Sequence, residues 1–146
     1  MWIGEYTHSL DEKNRFVLPS RYRQQIKEKN IRCFYLTRGL DRCLAMYDEE
    51  EWNRLTPKLR SLPFTKENAR KFNRFFFSSA VEIVPDAQGR VIIPDNLREH
   101  AEIAGKEIVI TGVSDRIEIW SKERWGRMYD EHREDFEKMA EDLFFE

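Results

Sequence analysis

The chain has 146 residues, 40% of them hydrophobic and 13% aromatic, so it is long enough for one compact domain with a substantial core. Charged residues make up 36% of the sequence, and no apolar run approaches the roughly 20 residues of a membrane-spanning helix. The first residues lack the pattern of a secretory signal, so we expect a cytoplasmic protein with no membrane partner. Its two cysteines, Cys33 and Cys43, are then expected to be reduced packing residues.

The charge is unevenly distributed along the chain. Residues 1–74 carry 16 Lys and Arg against 10 Asp and Glu, whereas residues 75–146 carry 9 against 17. The formal net charge of −2 therefore conceals a basic half and an acidic half. One basic cluster lies in residues 11–32 and a second in residues 54–74, and such asymmetry indicates a basic binding surface.

Two segments of the chain share one pattern. Residues 11–23 and residues 86–98 each contain an Asp, an Arg four positions later, three apolar residues, a Pro and a further Arg. A second pair of matching segments, residues 44–52 and 117–125, follows at a similar separation. Repetition of this kind indicates a unit that buries its apolar face only against a second copy.

We therefore expect residues 1–146 to form a single domain of two repeats, the first over residues 1–74 and the second over residues 75–146. Alternating β-formers, turn residues and helical spacing predict the elements of the first repeat. They are strands at residues 3–10, 15–18, 33–36 and 43–47, and helices over residues 20–29, from Asp48 as a cap, and from Thr65.

The second repeat is expected to follow the same order and to end in a long helix. Its predicted strands are residues 81–84, 90–93, 107–110 and 117–120, and a helix capped by Asp95 runs to about Ile103. From Ser121 a single helix of about 25 residues exceeds what one small core covers. Its apolar stripe is expected to pack partly on a neighbouring subunit, with its own domain as the nearly equal alternative.

The repeated turns have residues that can structure a tight loop. Asn14 and Gly89 occupy the same register position, and both residue types tolerate a positive φ. Asp11 and Asp86 can accept hydrogen bonds within their turns, and Pro19 and Pro94 close the returning strands.

The first turn also carries a cluster of bases. Lys and Arg neutralise phosphates, Arg can read a guanine edge, and a two-stranded β-ribbon is narrow enough to enter the major groove. We therefore predict double-stranded DNA as the partner. The predicted DNA-binding residues are Lys13, Asn14, Arg15, Arg21, Arg23 and Arg90.

Alternatives remain open for these residues. Asp11 and Arg15 could simply fix their own loop, and the second turn, with Ala87 and Gln88 in place of Glu12 and Lys13, is less basic and could serve the fold. The Phe run at residues 75–77 is expected to pack in the core or between subunits, with stacking on unpaired bases as the lesser alternative.

The paired motifs resemble those of the MraZ family of bacterial transcriptional regulators. The similarity covers Gly4-Glu5-Tyr6 and His8, and then both Asp-x-x-x-Arg turns with their following Pro. The first turn departs from the family in having Asn14 where Gly is usual. The resemblance implies an α+β fold, mainly a β core with peripheral helices, of the AbrB and SpoVT looped-hairpin barrel type built from two pseudo-symmetric repeats.

The resemblance also implies a function. Proteins of this family form homo-oligomeric rings, commonly octamers, and bind short direct repeats upstream of their own operon, the division and cell-wall cluster. We therefore expect a nucleoid-associated regulator, most simply a repressor. The alternative is an antitoxin-like interaction module whose basic loops engage an acidic partner.

Catalysis is not expected. Asp11 and Asp86 each have an Arg four residues away, which should keep them ionised rather than available as proton donors. His8, His100 and His132 lack metal-ligand spacing. We therefore predict no enzyme activity, no metal, no cofactor and no small-molecule substrate.

Overall fold

The computed structural model describes residues 1–145. It contains strands β1 (Glu5–Ser9), β2 (Arg15–Val17), β3 (Phe34–Arg38), β4 (Leu44–Asp48), β5 (Val81–Ile83), β6 (Arg90–Ile92), β7 (Glu107–Val113) and β8 (Arg116–Ser121). Its α-helices are α1 (Ser20–Lys29), α2 (Glu49–Arg60), α3 (Glu67–Ser78), α4 (Asp95–His100), α5 (Lys122–His132) and α6 (Phe136–Phe144). Short 3-10 turns lie at Leu40–Arg42 and Arg133–Asp135.

The strands of the two repeats are shared between two antiparallel sheets. Six strands form one sheet in the order β1-β7-β8-β4-β3-β5, and β2 pairs with β6 in a separate two-stranded ribbon. The first strand of each repeat pairs with a strand of the other repeat: β1 pairs with β7, and β5 pairs with β3. The predicted fold class is confirmed: the architecture is α+β, has two repeats and is of the looped-hairpin barrel type.

One apolar core joins the ribbon to the large sheet. Equivalent ribbon positions, Phe16 and Val91, point inward and are buried. They belong to the same cluster as Tyr22 of α1, Leu97 of α4 and the inward residues of the sheet. Burying this shared surface stabilises the fold by about 25 cal/mol for each Å² of apolar area.

The helix predictions were correct for two helices and inexact for two others. Helix α1 has the predicted bounds, and Asp48 caps α2 by accepting the Glu51 backbone N–H at 2.9 Å. Helix α3 begins at Glu67 rather than at Thr65. Asp95 does not cap α4, because Pro94 occupies the cap position and the Asp95 carboxylate pairs with Arg98 instead; α4 ends at His100.

The predicted single C-terminal helix of about 25 residues is wrong, since a 3-10 turn separates α5 from α6. Trp125 and Met128 of α5 pack on the outer face of the sheet, whereas α6 has no buried residue. The backbone departs from α-helical geometry at His132 (φ −119°, ψ −9°) and at Asp135 (φ −89°, ψ 3°). Because α6 buries no residue, tertiary packing does not hold it in line with α5.

The packing predictions are confirmed for both cysteines and, within the Phe run, for Phe76. Cys33 and Cys43 are free and buried, and burial raises the pKa of both thiols. Within the Phe run, Phe76 is buried and stacks on Trp52 with ring centroids 5.6 Å apart. Phe75, its neighbour, is exposed. Over residues 1–145, no helix combines the length and the apolar character needed to cross a bilayer.

Candidate nucleic-acid interface

The first turn, residues 11–15, is organised around one carboxylate. Asp11 Oδ1 accepts the backbone N–H groups of Lys13 and Arg15, both at 2.9 Å, and Asp11 Oδ2 accepts Arg15 Nε at 2.8 Å. The Asp11 carbonyl accepts the Asn14 N–H, and Asn14 has a φ of 60°. The predicted positive φ is therefore confirmed, and the Arg15 side chain is fixed at its Nε.

The second turn, residues 86–90, repeats this arrangement. Asp86 Oδ1 accepts the backbone N–H groups of Gln88 and Arg90 at 2.9 Å, and its Oδ2 accepts Arg90 Nε at 2.6 Å. Gly89 has a φ of 77°. Both turns therefore present an Arg whose orientation is set by an Asp four residues earlier.

The hydrogen bonds also set the charge state of the two carboxyl groups. The pKa of Asp11 is lowered, mainly because the carboxylate accepts the Arg15 backbone N–H, and further because it accepts the Arg15 side chain. The pKa of Asp86 is lowered for the same reasons by Arg90. Both groups are ionised at neutral pH, as the sequence predicted, so each offsets the charge of its Arg while aligning it.

The ribbon brings the two turns together. Leu18 N donates to the Gly89 carbonyl at 2.9 Å, and the equivalent Ile93 N donates to the Asn14 carbonyl at 3.0 Å. Each left-handed residue therefore receives a hydrogen bond from the strand of the other repeat. In the sequence the turns are two separate loops. In the structure they flank the two-stranded ribbon, and the two turns are related by approximate two-fold symmetry.

Four side chains alternate on the outward face of the ribbon. Arg15 lies opposite Ile92, and Val17 lies opposite Arg90, while Phe16 and Val91 between them point into the core. Val17 and Ile92 are exposed although they are apolar. The terminal Nη1 and Nη2 atoms of Arg15 and Arg90 have no hydrogen-bond partner within residues 1–145. The ribbon face thus offers two aligned guanidinium groups and two apolar side chains.

The other predicted residues surround this face. Lys13 is exposed in the first turn, and Arg21 is exposed in the first turn of α1. Arg23 donates its Nε to the Leu18 carbonyl at 3.1 Å and lies against Gly89, in the opposite repeat. Pro19 and Pro94 are the N-cap residues of α1 and α4, so they link each ribbon strand to its helix.

Three bases near the turns were not among the predicted DNA-binding residues, although Lys27 and Arg32 lie in the basic cluster at residues 11–32. Lys106 donates its Nζ to the Asp11 carbonyl at 3.3 Å, across 95 positions of sequence. Lys27 and Arg32, with Arg23, line a cavity of about 190 Å³ beside the second turn. The second turn carries no Lys of its own, yet repeat one supplies bases around it. The repeated motif could not show that these bases surround the second turn, because their position depends on how α1 packs on the other repeat.

Among residues 1–145, no group of three or more His, Cys, Asp and Glu side chains could hold a metal ion. Taken together, the shared sheet and the paired turns define a two-repeat protein of the looped-hairpin barrel class, with a basic ribbon as its candidate binding surface. The family model described as "MraZ protein, putative antitoxin-like" matches twice, over residues 1–75 and 76–145. The chain therefore belongs to the MraZ family, which consists of regulatory, non-catalytic proteins.

Proposed function

We propose that this protein is a sequence-specific DNA-binding transcriptional regulator that inserts the β2–β6 ribbon into the major groove. In this proposal it acts as a repressor of the division and cell-wall gene cluster, including its own promoter, and binds short direct repeats as a homo-oligomeric ring. Residues 1–146 act as one domain of two repeats, 1–74 and 75–146, located on the nucleoid in the cytoplasm.

The observation that carries the proposal is the outward face of the ribbon. Arg15 and Arg90 are held at Nε by Asp11 and Asp86, so their free Nη atoms are oriented before any ligand arrives. Two strands are about 4.8 Å apart, and the major groove is about 12 Å wide, so a ribbon fits with its side chains. Pre-orientation reduces the entropy lost on binding.

The residues around the face divide into two roles in this proposal. Arg15 and Arg90, with Asn14 at the edge of the ribbon, contact base edges and the nearest phosphates. Lys13, Arg21 and Arg23 neutralise phosphates on either side. The turn-structuring residues act indirectly by holding the loops; they are Asp11, Asp86, Gly89, Pro19 and Pro94.

Oligomerisation gives these few contacts sufficient strength. Two or three phosphate contacts in one subunit give weak binding that is very sensitive to salt. A ring that presents several ribbons to several direct repeats gains a factor of roughly 10² to 10⁴ by effective concentration. The acidic second half, with 17 acids against 9 bases, disfavours attachment to unrelated DNA.

The test is binding to a labelled duplex from the DNA upstream of the protein's own gene, titrated with salt, beside a scrambled duplex. We expect tight, salt-dependent binding that prefers the native duplex, and loss of this preference in Arg15→Ala and Arg90→Ala. Arg127→Ala is the matched control, because Arg127 is an exposed Arg of α5 remote from the turns in sequence. Equal binding of both duplexes by the wild type would refute the proposal.

The family description favours one second candidate, an antitoxin-like interaction module. In that case the same basic face binds an acidic protein rather than a nucleic acid. A pull-down that yields a stoichiometric acidic partner, combined with no affinity for either duplex, would support this candidate against the regulator.

A further inference from the structure

Helix α6 carries an apolar stripe that is largely exposed in the described residues 1–145. Residues 136, 139, 140, 143 and 144 follow the spacing of a single helix face. Phe136, Leu143 and Phe144 are 72%, 78% and 77% exposed. We call these five positions, Phe136, Met139, Ala140, Leu143 and Phe144, the α6 stripe. An amphipathic helix with an uncovered stripe of this size indicates a docking element.

The remainder of α6 and the turn before it are acidic. Residues 133–145 contain five acids and two bases. Glu137, Glu141 and Asp142 lie within α6 beside the stripe, and all three are exposed. A binding partner for α6 must therefore offer an apolar surface that is bordered by bases.

The α2–α3 hairpin of the same chain has this combination. Its two helices meet where Trp52 of α2 stacks on Phe76 of α3 and where Asn73 of α3 donates to the Leu59 carbonyl of α2. Phe64 and Phe75 are 79% and 61% exposed. We call the exposed apolar side chains of this hairpin, Leu62, Phe64, Phe72 and Phe75, the hairpin surface.

Bases directly adjoin the hairpin surface. Residues 54–74 contain seven bases and one acid. Arg70 donates its Nη1 to the Phe64 carbonyl at 3.0 Å, and the Arg38 guanidinium carbon lies 4.9 Å from the centre of the Phe75 ring. Exposed aromatic residues next to arginines are typical of the centres of protein interfaces.

From this complementarity we propose that the α6 stripe of one copy docks on the α2–α3 hairpin surface of the next copy. Apolar side chains of α6 cover those of the hairpin, and the acids of α6 meet the bases that border it. The inference rests on the self-association included in the proposed function and specifies the surfaces that produce it.

Two other occupants fit the charges less well. Pairing of one α6 with another α6 would place the acids of both helices together, and like charges across an interface oppose association. A lipid surface would require Lys and Arg on the polar face of the helix, whereas α6 has one Lys among its acids. A second copy offering its basic hairpin satisfies both the apolar and the charged parts of α6.

The two surfaces differ, so the interface is head-to-tail. Each copy donates one helix and accepts another, and repetition of such a contact closes into a ring or continues as a filament. The turn at Arg133–Asp135 sets the direction in which α6 leaves the body of its own subunit. A closed ring leaves no stripe and no hairpin surface exposed.

The test compares the molar mass of purified full-length variants by sedimentation velocity. Phe136→Asp/Leu143→Asp removes the α6 stripe, and Phe64→Asp/Phe75→Asp removes the hairpin surface. Each is expected to weaken association at least roughly 10-fold and to run as a monomer where the wild type is assembled. Val84→Asp is the matched control, because Val84 is an exposed apolar residue, at 66%, outside both surfaces.

Mixing the two variants tests the direction of the contact. The stripe variant retains its hairpin and the hairpin variant retains its α6, so the mixture should form a one-to-one dimer with a single junction and no larger species. Circular dichroism checks that each variant is folded; the substituted side chains are exposed.

Wild-type assembly in both variants, a monomeric wild type, or a mixture that stays monomeric would each overturn the docking proposal. The duplex titration is separate, since the wild type can assemble as proposed and still fail to prefer its native DNA. That result would refute the proposed function alone.

Discussion

At the scale of single residues, Asn14 and Gly89 share a left-handed conformation but have different surroundings. A Cβ atom at Gly89 would lie 2.3 Å from Arg23 Cδ, so the second turn excludes a side chain that the first turn contains. Arg23 has little freedom to withdraw because its Nε is bound to the Leu18 carbonyl. Gly89 is thus required both for its φ and for the space above it.

Gly89→Ala should therefore destabilise the protein more than Asn14→Ala. Both variants place Ala in the left-handed region, which costs about 1 kcal/mol, but only Gly89→Ala must displace Arg23. In an Arg23→Ala background the cost of Gly89→Ala should fall by at least about 0.5 kcal/mol. Urea unfolding of the wild type, Gly89→Ala, Arg23→Ala and the double variant measures this coupling. A cost of Gly89→Ala that is independent of Arg23 would contradict it.

The two turn carboxylates predict how stability depends on pH. Folding lowers the pKa of Asp11 and Asp86 below their ordinary value of 3.8, so the fold favours the ionised groups. Their contribution is complete above this ordinary value and is lost as the pH falls through the lower pKa of the folded state.

The stability difference between the wild type and Asp11→Asn/Asp86→Asn should therefore be constant near neutral pH and narrow below about pH 4. Guanidinium unfolding over this range measures it, with Asp115→Asn as a control because Asp115 is an exposed carboxylate that pairs with Arg116 outside both turns. A difference that remains constant down to about pH 2 would show that the carboxylates do not stabilise the fold through their charge.

At the scale of elements, the ribbon combines charged and apolar contacts whose effects on DNA binding differ. Val17 and Ile92 are exposed beside Arg90 and Arg15 in the antiparallel pairing. Apolar side chains in the major groove contact the methyl group of thymine, whereas Arg also releases counterions. Substitutions of the two kinds of residue should therefore differ in how they change the dependence of DNA affinity on salt concentration.

Val17→Ser/Ile92→Ser should weaken binding to the native duplex about 10-fold and leave the salt dependence unchanged, because no charge is lost. Arg15→Ala should weaken binding and also reduce the slope of log K against log salt by about 1. Fluorescence anisotropy at several salt concentrations measures both effects. An unchanged affinity in the double Ser variant would mean that the apolar pair lies outside the interface.

The helices, caps, turns and strand pairings also show which features of the fold could be predicted from the sequence. Local signals placed α1, the cap at Asp48 and the left-handed Asn14 correctly, because each depends on neighbouring residues. The pairing of β2 with β6 joins residues 73 to 77 positions apart and follows from tertiary packing. The break after His132 was missed because apolar spacing continues through it, and that spacing does not show the local departure of the backbone from helical geometry.

At the scale of the whole molecule, the basic and acidic halves have separate uses. The charge asymmetry predicted one basic binding surface. In the structure the bases divide between the ribbon and the α2–α3 hairpin, in line with the two basic clusters at residues 11–32 and 54–74, while Arg90 of the ribbon comes from the acidic half. In our proposals one group meets DNA and the other meets the acidic α6 of the next copy.

Assembly should then control the affinity for a promoter with several repeats more than the affinity for one repeat. A variant with Phe136→Asp/Leu143→Asp retains an unaltered ribbon, so it should bind a duplex with one repeat as the isolated wild-type subunit does. On the full upstream duplex it should lose the gain from multiple contacts, a factor of roughly 10² or more. Equal affinity of the variant and the wild type for the full duplex would contradict this expectation.

The exchange of first strands between the repeats has a consequence for the origin of the chain. A polypeptide equivalent to one repeat would lack the strand that covers its own sheet, and a second copy of itself would supply it through the same pairing as β1 with β7 and β5 with β3. Such an ancestor would fold only as an obligate dimer with two identical turns. Gene duplication and fusion would then have allowed each turn to diverge. Lys13 in the first turn and Gln88 at the equivalent position of the second turn are an example of such divergence.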